Sequence, residues 1–320
     1  MEAEKLRRVE RDDDGIRLDR WFKRHYPALS HTLLEKLLRT GQVRLDGKRA
    51  KAGERLAEGQ TLRLPPQVLH GGQERPRAAV AGSLQEYVLY MDGSVLVLNK
   101  PPGLATQGGS GLSRHIDGML DSLMFEKRQR PRLVHRLDRD TSGVLVVART
   151  APAAAALAKA LAERDAAKIY WALVSGVPKQ KRGTIKAALA KEGERGRERM
   201  AVSDDEEAKR AVTDYAVLGE AGDFAWIAAK PLTGRTHQIR VHLASIGAPI
   251  VGDFKYGGAR GKGEIADKLH LHARAIDIAH PDGGRLRVTA PLPAHMRRAW
   301  ELFGFDPDDA ADPFAKARKR

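Results

Sequence analysis

The sequence predicts an α+β chain in two parts: a small basic helix-helix-hairpin module, then a larger domain on a mixed, mostly antiparallel sheet. Leu18, Trp21 and Phe22 fall at i, i+3, i+4, and Leu33, Leu34, Leu37 and Leu38 repeat that spacing, the periodicity of two short amphipathic helices. From residue 65 to about 82 the apolar periodicity stops, and Pro65, Pro66, Gly71, Gly72 and Pro76 mark a linker. Beyond it, apolar runs of strand length outnumber helical patterns, which is the texture of an α+β domain. A chain of 320 residues that is 42% hydrophobic and 30% charged has material for a real core, so disorder over the whole length is excluded.

Taken in order, the first two helices are expected on either side of Pro27, the second capped by Ser30 and ended by Gly41. Val43-Arg44-Leu45 alternates and runs into Asp46-Gly47, a two-residue hairpin signal, and Thr61 to Leu64 reads as a further strand. In the larger domain, Val95 to Leu98, Val144 to Val147, Ile169 to Val174, Phe224 to Ala229 and Leu269 to Ile278 are strand candidates. One helix is expected from about Pro152 to Arg164, with Leu157 and Leu161 at i, i+4 and Thr150 as N-cap. The charged stretch from Lys191 to Lys209, interrupted by Gly193 and Gly196, reads as an exposed hairpin or loop, and the tail from Pro307 as mobile.

Charge limits the class of partner. Lys and Arg number 56 against 41 Asp and Glu, a net charge of +15, which asks for a polyanion: nucleic acid, or an anionic membrane surface. Between Arg17 and Arg63 there are 12 Lys and Arg against 5 acids, so nearly half the excess sits in the first module. The absence of cysteine excludes disulfides, thiolate metal sites and thiol nucleophiles. The first thirty residues are charged throughout and no apolar run is long enough for a membrane span. A cytoplasmic protein is expected.

Two polar clusters could carry chemistry. His135-Arg136-Leu137-Asp138-Arg139-Asp140-Thr141-Ser142-Gly143 lies between apolar Leu133-Val134 and the strand from Val144. A carboxylate crowded by Arg136 and Arg139 would stay ionised, fit to be a nucleophile or weak base and unfit to be a general acid; a salt-bridged loop is the equal alternative. Thr233-Gly234-Arg235-Thr236-His237-Gln238-Ile239-Arg240-Val241-His242 is the second, followed by Gly252-Asp253 and Tyr256-Gly257-Gly258. His237 and His242 lie five apart without a close third ligand, which argues against zinc. His270 and His272 read as packed or hydrogen-bonded histidines. Lys168 and Tyr170 share one face of a strand and Ile169 and Trp171 the other, so Tyr170 either stacks on a base or packs half-buried.

These residues carry a resemblance. His135-Arg136-Leu137-Asp138 with Thr141-Ser142-Gly143 resembles the signature loop of the RluA-type family of RNA pseudouridine synthases, and Thr233 to His242 resembles its second signature. Asn99-Lys100-Pro101-Pro102-Gly103 upstream and Lys168-Ile169-Tyr170 between them are similar to further family segments in the same order, so the resemblance spans residues 88 to 290. Leu18 to Leu64 resembles the S4 RNA-binding module of the members that act on large-subunit ribosomal RNA, and Gly108 to Ser113 with Glu198-Arg199-Met200 resembles that branch.

The resemblance implies an S4-like module at 15–65, a linker at 66–83, a pseudouridine synthase domain at 84–304 and a mobile tail at 305–320. It implies an isomerase that converts uridines of RNA, 23S ribosomal RNA or its precursor, into their C-glycoside. No cofactor, metal, membrane or obligatory protein partner is implied. By position, Asp138 matches the essential aspartate, Arg235 the arginine paired with it, and Tyr170 the tyrosine that stacks on the uracil and acts later as base at C5. Ile239 matches an apolar pocket position, and Arg136, Arg139 and Arg240 are phosphate or scaffold contacts. Asp140 is an acid two residues past Asp138 that binds backbone amides or competes for its role. Attack on an internal uridine requires the nucleotide to leave its stack. A transfer-RNA or dual-specificity synthase, and a non-catalytic RNA-binding assembly factor, are the alternatives.

Overall fold

A computed structural model describes residues 5–26, 29, 31–66, 68, 83–108, 114–127, 129–193, 199–259, 264–265, 267–308 and 313–314. Ser30, most of the expected linker, Gly109 to Ser113, Gly196, Glu198 and the basic end of the tail lie outside the described residues. The chain divides into two compact units, 1–82 with 127–130, and 83–126 with 131–320. Among the described residues no helix is long and apolar enough to cross a membrane.

In the N-terminal unit, β1 (Lys5–Arg8) precedes α1 (Leu18–His25), α2 (His31–Arg39), the short hairpin β2 (Arg44–Leu45) and β3 (Lys48–Arg49), and β4 (Thr61–Leu64). The sheet order is β1-β4-β2-β3, so the unit reaches ahead of residue 15 through a strand whose charged sequence shows no alternation. Leu18, Trp21 and Phe22 of α1 pack on Leu34, Leu37 and Leu38 of α2 and on Leu45, Leu62 and Leu64, which is why the helical spacing was legible. Asp46 and Gly47 both have positive φ, 47° and 77°, the backbone of a primed hairpin turn. Buried Asp13 accepts from Trp21 Nε1, Arg24 Nη1 and His25 Nε2 at 2.8–2.9 Å. Arg20, Lys23, Lys36, Arg39, Arg44 and Lys48 are exposed.

The second unit is built on a ten-stranded sheet. Its elements in order are β5 (Val88–Met91), β6 (Val95–Lys100), α3 (Ile116–Met119), β7 (Arg132–Leu133), β8 (Ser142–Ala148), α4 (Ala151–Ala162), β9 (Ala167–Ser175) and β10 (Arg182–Lys186). Then come the hairpin β11 (Leu189–Glu192) and β12 (Arg199–Val202), β13 (Val212–Ala221), β14 (Phe224–Pro231), α5 (Gln238–Ser245), β15 (Leu271–Ala279), β16 (Arg285–Thr289) and α6 (Ala294–Phe303). The main path runs β10-β13-β14-β9-β15-β8-β6-β5, with β16 beside β15 and β7 beside β8. Among these described strands the short β15–β8 pairing is parallel; the other pairings are antiparallel, as the strand-rich sequence predicts.

Ile239 and Leu243 of α5 pack over one face with Ala172, Val174 and Ile227, whereas Met296 and Trp300 of α6 cover Trp171, Leu173 and Trp226 on the other. Thr150 caps α4 by accepting from the Ala153 N–H at 3.2 Å, and the charged stretch from Lys191 overlaps the β11–β12 hairpin, which begins at Leu189. At the first residue of the tail expected from 305, the Phe305 ring lies 5.8 Å from that of Trp226 and 6.0 Å from that of Trp300. An aromatic of that size against two tryptophans removes more apolar surface from water than a free tail would.

Candidate active site

The register of three strands assembles the site. Ala273 of β15 pairs on one side with Gly143 of β8 and on the other with Tyr170 of β9. The loop from Val134 to Thr141, which feeds β8, therefore ends beside the strand that carries Tyr170. Gly143 has φ +106°, and a Cβ there would stand 2.2 Å from the Ala273 carbonyl oxygen. That approach, possible only without a side chain, brings the loop against β15.

The loop has no regular structure, so other groups hold it. The Thr106 hydroxyl donates to the Leu137 carbonyl at 2.7 Å and accepts from the Leu137 N–H at 3.1 Å. Lys100, 0% exposed, directs its three ammonium protons to the carbonyls of Pro101, Leu104 and Arg139 at 2.8–2.9 Å. Burial pushes this lysine down to about 7, against the opposing pull of Asp140 and Asp138. Ser142 Oγ meets His272 Nδ1 at 2.9 Å, and the Val146 N–H donates to His135 Nε2 at 2.8 Å. Burial pushes His135 down to about 4, so its ring stays a neutral acceptor.

Asp138 is the carboxylate that this scaffold presents to the second cluster. Arg240 Nη1 lies 3.5 Å from Asp138 Oδ2, while Arg240 Nε and Nη2 each reach an Asp253 oxygen at 2.7 Å. That two-pronged bond to buried Asp253 fixes the guanidinium plane, and the Tyr256 ring lies under it at 5.0 Å. Burial disfavours the Arg240 charge, but the bonds to Asp253 and the charge of Asp138 outweigh it and raise its pKa. His237 Nε2 lies 3.8 Å from the same Oδ2.

Tyr170 is half-buried and packs on the cluster that contains Ile239. Burial raises its pKa, and the charge of Asp138 pushes the same way. The ring therefore enters the site as a neutral phenol, suited to stacking. Ile169 and Trp171 pack on the opposite side of the sheet, as the period of two requires.

The pairing of Arg235 with Asp138 is corrected by the structure: the partner is Arg240. Arg235 lies three residues ahead of α5 on an exposed loop, with Nε donating to the Arg210 carbonyl at 3.2 Å. It lines a separate cavity of about 680 Å³ with Lys191, Met200 and Lys209. Its own backbone N–H donates to Gln238, whose buried amide also engages Thr233, Val212 and Thr213. That amide holds the turn in which the two arginines part company.

Arg136 and Arg139 are exposed, and Arg139 pairs with Asp140 at 3.4 Å. Asp140 is itself exposed, its side chain 57% accessible, and engaged there instead of at Arg240. His242, His270 and His272 are buried and hydrogen-bonded, consistent with packed histidines. In the sequence alone, His237, Asp253, Tyr256, Lys100 and Thr106 have no assigned role. Gly252-Asp253 and Tyr256-Gly257-Gly258 did stand out as glycine-flanked polar pairs, and the glycines were the signal. Gly252 has φ +75°, and a Cβ on Gly258 would stand 1.9 Å from the Ile250 carbonyl oxygen.

One histidine-carboxylate cluster among the described residues, Asp92, His280 and Asp282, has ligand atoms within 4.8 Å of one another. Asp92 accepts there from Tyr90, Ser94, Val95 and His280, and these hydrogen bonds tie down the β5–β6 turn.

Residues 94–245 match the family model described as RNA pseudouridylate synthase. The chain is 35% identical to ribosomal large subunit pseudouridine synthase C of Escherichia coli over 304 residues, 92% of this chain and 95% of that protein. It is 36% identical to RNA pseudouridine synthase 4, mitochondrial, of Arabidopsis thaliana, over 88% of this chain and 78% of that one. The solved structure of human RNA Pseudouridylate Synthase Domain Containing 4 aligns with a TM-score of 0.59 at 28% identity, over 69% of this chain and 94% of that chain. For human RNA Pseudouridylate Synthase Domain Containing 1 the TM-score is 0.55 at 31% identity, over 68% and 89%.

Proposed function

The chain belongs to the RNA pseudouridine synthase family, and from that premise we propose that it isomerises uridines of large-subunit ribosomal RNA. The observation that carries this reading is Asp138, held on a braced loop between Tyr170 and the Arg240–Asp253 pair. Similarity over nearly the whole length of both chains to large-subunit synthases supports ribosomal RNA as the substrate.

The reaction breaks the N1–C1′ bond, turns the uracil and joins C5 to C1′. The hydrogen on C5 leaves and N1 gains a proton, so composition is unchanged. Asp138 initiates cleavage, and Arg240 orients its carboxylate. Tyr170 stacks on the flipped uracil, which offsets the few kcal/mol lost on unstacking. Ile239 supports that tyrosine from the apolar side. Arg136 and Arg139, exposed beside Asp138, meet the phosphates that flank the flipped nucleotide.

The N-terminal unit acts as an S4-like RNA-binding module. Its two short helices, its hairpin and its exposed Arg and Lys side chains support that role. Phosphate neutralisation by those side chains would make binding strongly salt-dependent.

The test is tritium release from 23S ribosomal RNA labelled at uridine C5. Wild-type protein releases tritium, and Asp138→Asn does not while its RNA affinity stays within about threefold of wild type, since one rim carboxylate adds little to a phosphate-dominated affinity. Release from transfer RNA in place of ribosomal RNA would move the substrate. Removal of residues 1–66 lowers the salt slope of binding by about 0.7 for each phosphate of single-stranded RNA that the module neutralises. An unchanged slope would refute the module's role.

A further inference from the structure

The backbone of His237 is strained. It has φ +55° and ψ 17° at the residue that opens α5, and its side chain makes no capping bond. A left-handed conformation in a non-glycine residue costs on the order of 1 kcal/mol and persists where surroundings impose it, often at functional sites. The conformation sends the imidazole to two partners: Nδ1 lies 2.6 Å from the Tyr256 hydroxyl, and Nε2 lies 3.8 Å from Asp138 Oδ2.

The hydrogen bonds favour one tautomer. The Met200 N–H donates to the Tyr256 hydroxyl oxygen at 3.2 Å, and a hydroxyl that accepts once and donates once sends its proton to His237 Nδ1, 2.6 Å away. Nδ1 is then an acceptor, and the proton of the neutral ring sits on Nε2, facing Asp138. Burial pushes the imidazole below its usual value against the pull of Asp138, which keeps it neutral at pH 7. The chain of contacts runs from Met200 through Tyr256 and His237 to the carboxylate.

Both cationic and dipolar contacts fall on one oxygen. Arg240 Nη1 and His237 Nε2 approach Asp138 Oδ2, and Oδ1 takes part in neither approach. Resting on the isomerase reading above, we infer that His237 is a positioning residue for the reaction: locked by Tyr256 with its proton on Nε2, it acts with Arg240 to hold Asp138 Oδ2 and present Oδ1 to the uridine. The 3.8 Å separation is too long for a hydrogen bond in the free protein, and it shortens as the site tightens around RNA.

Single-turnover tritium release from the same labelled 23S ribosomal RNA tests this, with RNA affinity measured in parallel. Wild-type release is the control for the isomerase reading, and its absence would overturn that reading and not the assignment of His237. Glycine adopts the left-handed conformation freely, so His237→Gly preserves the turn while removing the imidazole. The expected single-turnover rate for His237→Gly and His237→Ala is about 10- to 100-fold below wild type, the range for a lost hydrogen bond to a charged group, with affinity within about twofold.

His237→Gln restores a neutral donor near the Nε2 position and recovers the rate to within about fivefold of wild type. Tyr256→Phe, which frees the tautomer, lies between wild type and His237→Gly. A wild-type rate in His237→Gly would reduce His237 to a backbone role. A His237→Gln rate no higher than that of His237→Gly would overturn the donor assignment.

Discussion

Arg235 and Arg240 lie five residues apart in one polar segment, and composition makes them equivalent. Helix geometry does not. Arg240 is in the first turn of α5, gripped by Asp253 through two bonds and 3.5 Å from Asp138, whereas Arg235 precedes the helix and reaches the Arg210 carbonyl. Arg240→Ala leaves Asp253 buried without its cation and Asp138 without its nearest guanidinium, and removal of one partner from a buried pair costs about 3–5 kcal/mol. The expected loss in tritium release for Arg240→Ala is at least about 100-fold, far beyond that for Arg235→Ala, when spread over transition-state binding and site geometry. Equal losses from the two variants would return the pairing to Arg235. Asp140 makes the same point: two residues from Asp138, it faces solvent and Arg139. A turn sends neighbouring side chains in different directions, and sequence alone leaves those directions open.

At the scale of elements, the site depends on how closely β8 and β15 meet. The Cβ of Gly143→Ala would collide with the Ala273 carbonyl at 2.2 Å, in a backbone region at φ +106° that alanine avoids. Forcing a methyl into such a contact costs about 1–3 kcal/mol or more. Because Ala273 also pairs with Tyr170, the displacement reaches the part of β9 that carries Tyr170. Thermal melting and tritium release well below the melting temperature check this together. The variant melts lower and is also slower at temperatures where it remains folded, and a folded variant with wild-type rate would show that the β8–β15 approach does not set the site.

The helices α1 and α2, the Asp46-Gly47 turn and the core strands β6, β8 and β9 were legible because each follows its own period or turn chemistry. The strands β10, β13 and β16 and the helices α5 and α6 were not. Val212–Ala221 mixes polar and apolar residues along a partly buried strand, and α5 carries Gln238, Arg240 and His242 inward for bonds to the sheet and the site. A helix that buries polar groups for function loses the apolar stripe by which helices are recognised.

At the scale of the whole molecule, stability depends on buried histidines. Burial pushes His270 and His272 down to about 4, and both are 0% exposed. In the unfolded chain they titrate near 6.5. The stability they contribute as neutral groups is therefore full above pH 6.5 and falls as the pH drops toward 4, because the unfolded chain takes up two protons that the folded one refuses. From pH 7 to pH 5 these two histidines alone account for an expected loss of about 3–4 kcal/mol, to which the likewise buried His135 adds. Urea unfolding midpoints at the two pH values measure it, and an unchanged midpoint would require both imidazoles to accept protons inside the fold. Burial without a second strong donor target holds them neutral, with Ser142 and backbone carbonyls as partners.

The sequence by itself determined the class of partner, the α+β architecture and the identity of the polar loop, since charge balance, periodicity and an ordered set of motifs survive in one dimension. It also marked Asp138 and Tyr170. Tertiary structure alone decided which arginine meets Asp138, which carboxylate faces it, and that a strained histidine stands behind it. Those choices depend on side-chain direction across strands that lie far apart in sequence, as in the contact between Arg240 and Asp138 102 residues away. A linear chain carries the residue types, and only the packed sheet sets the distances between them.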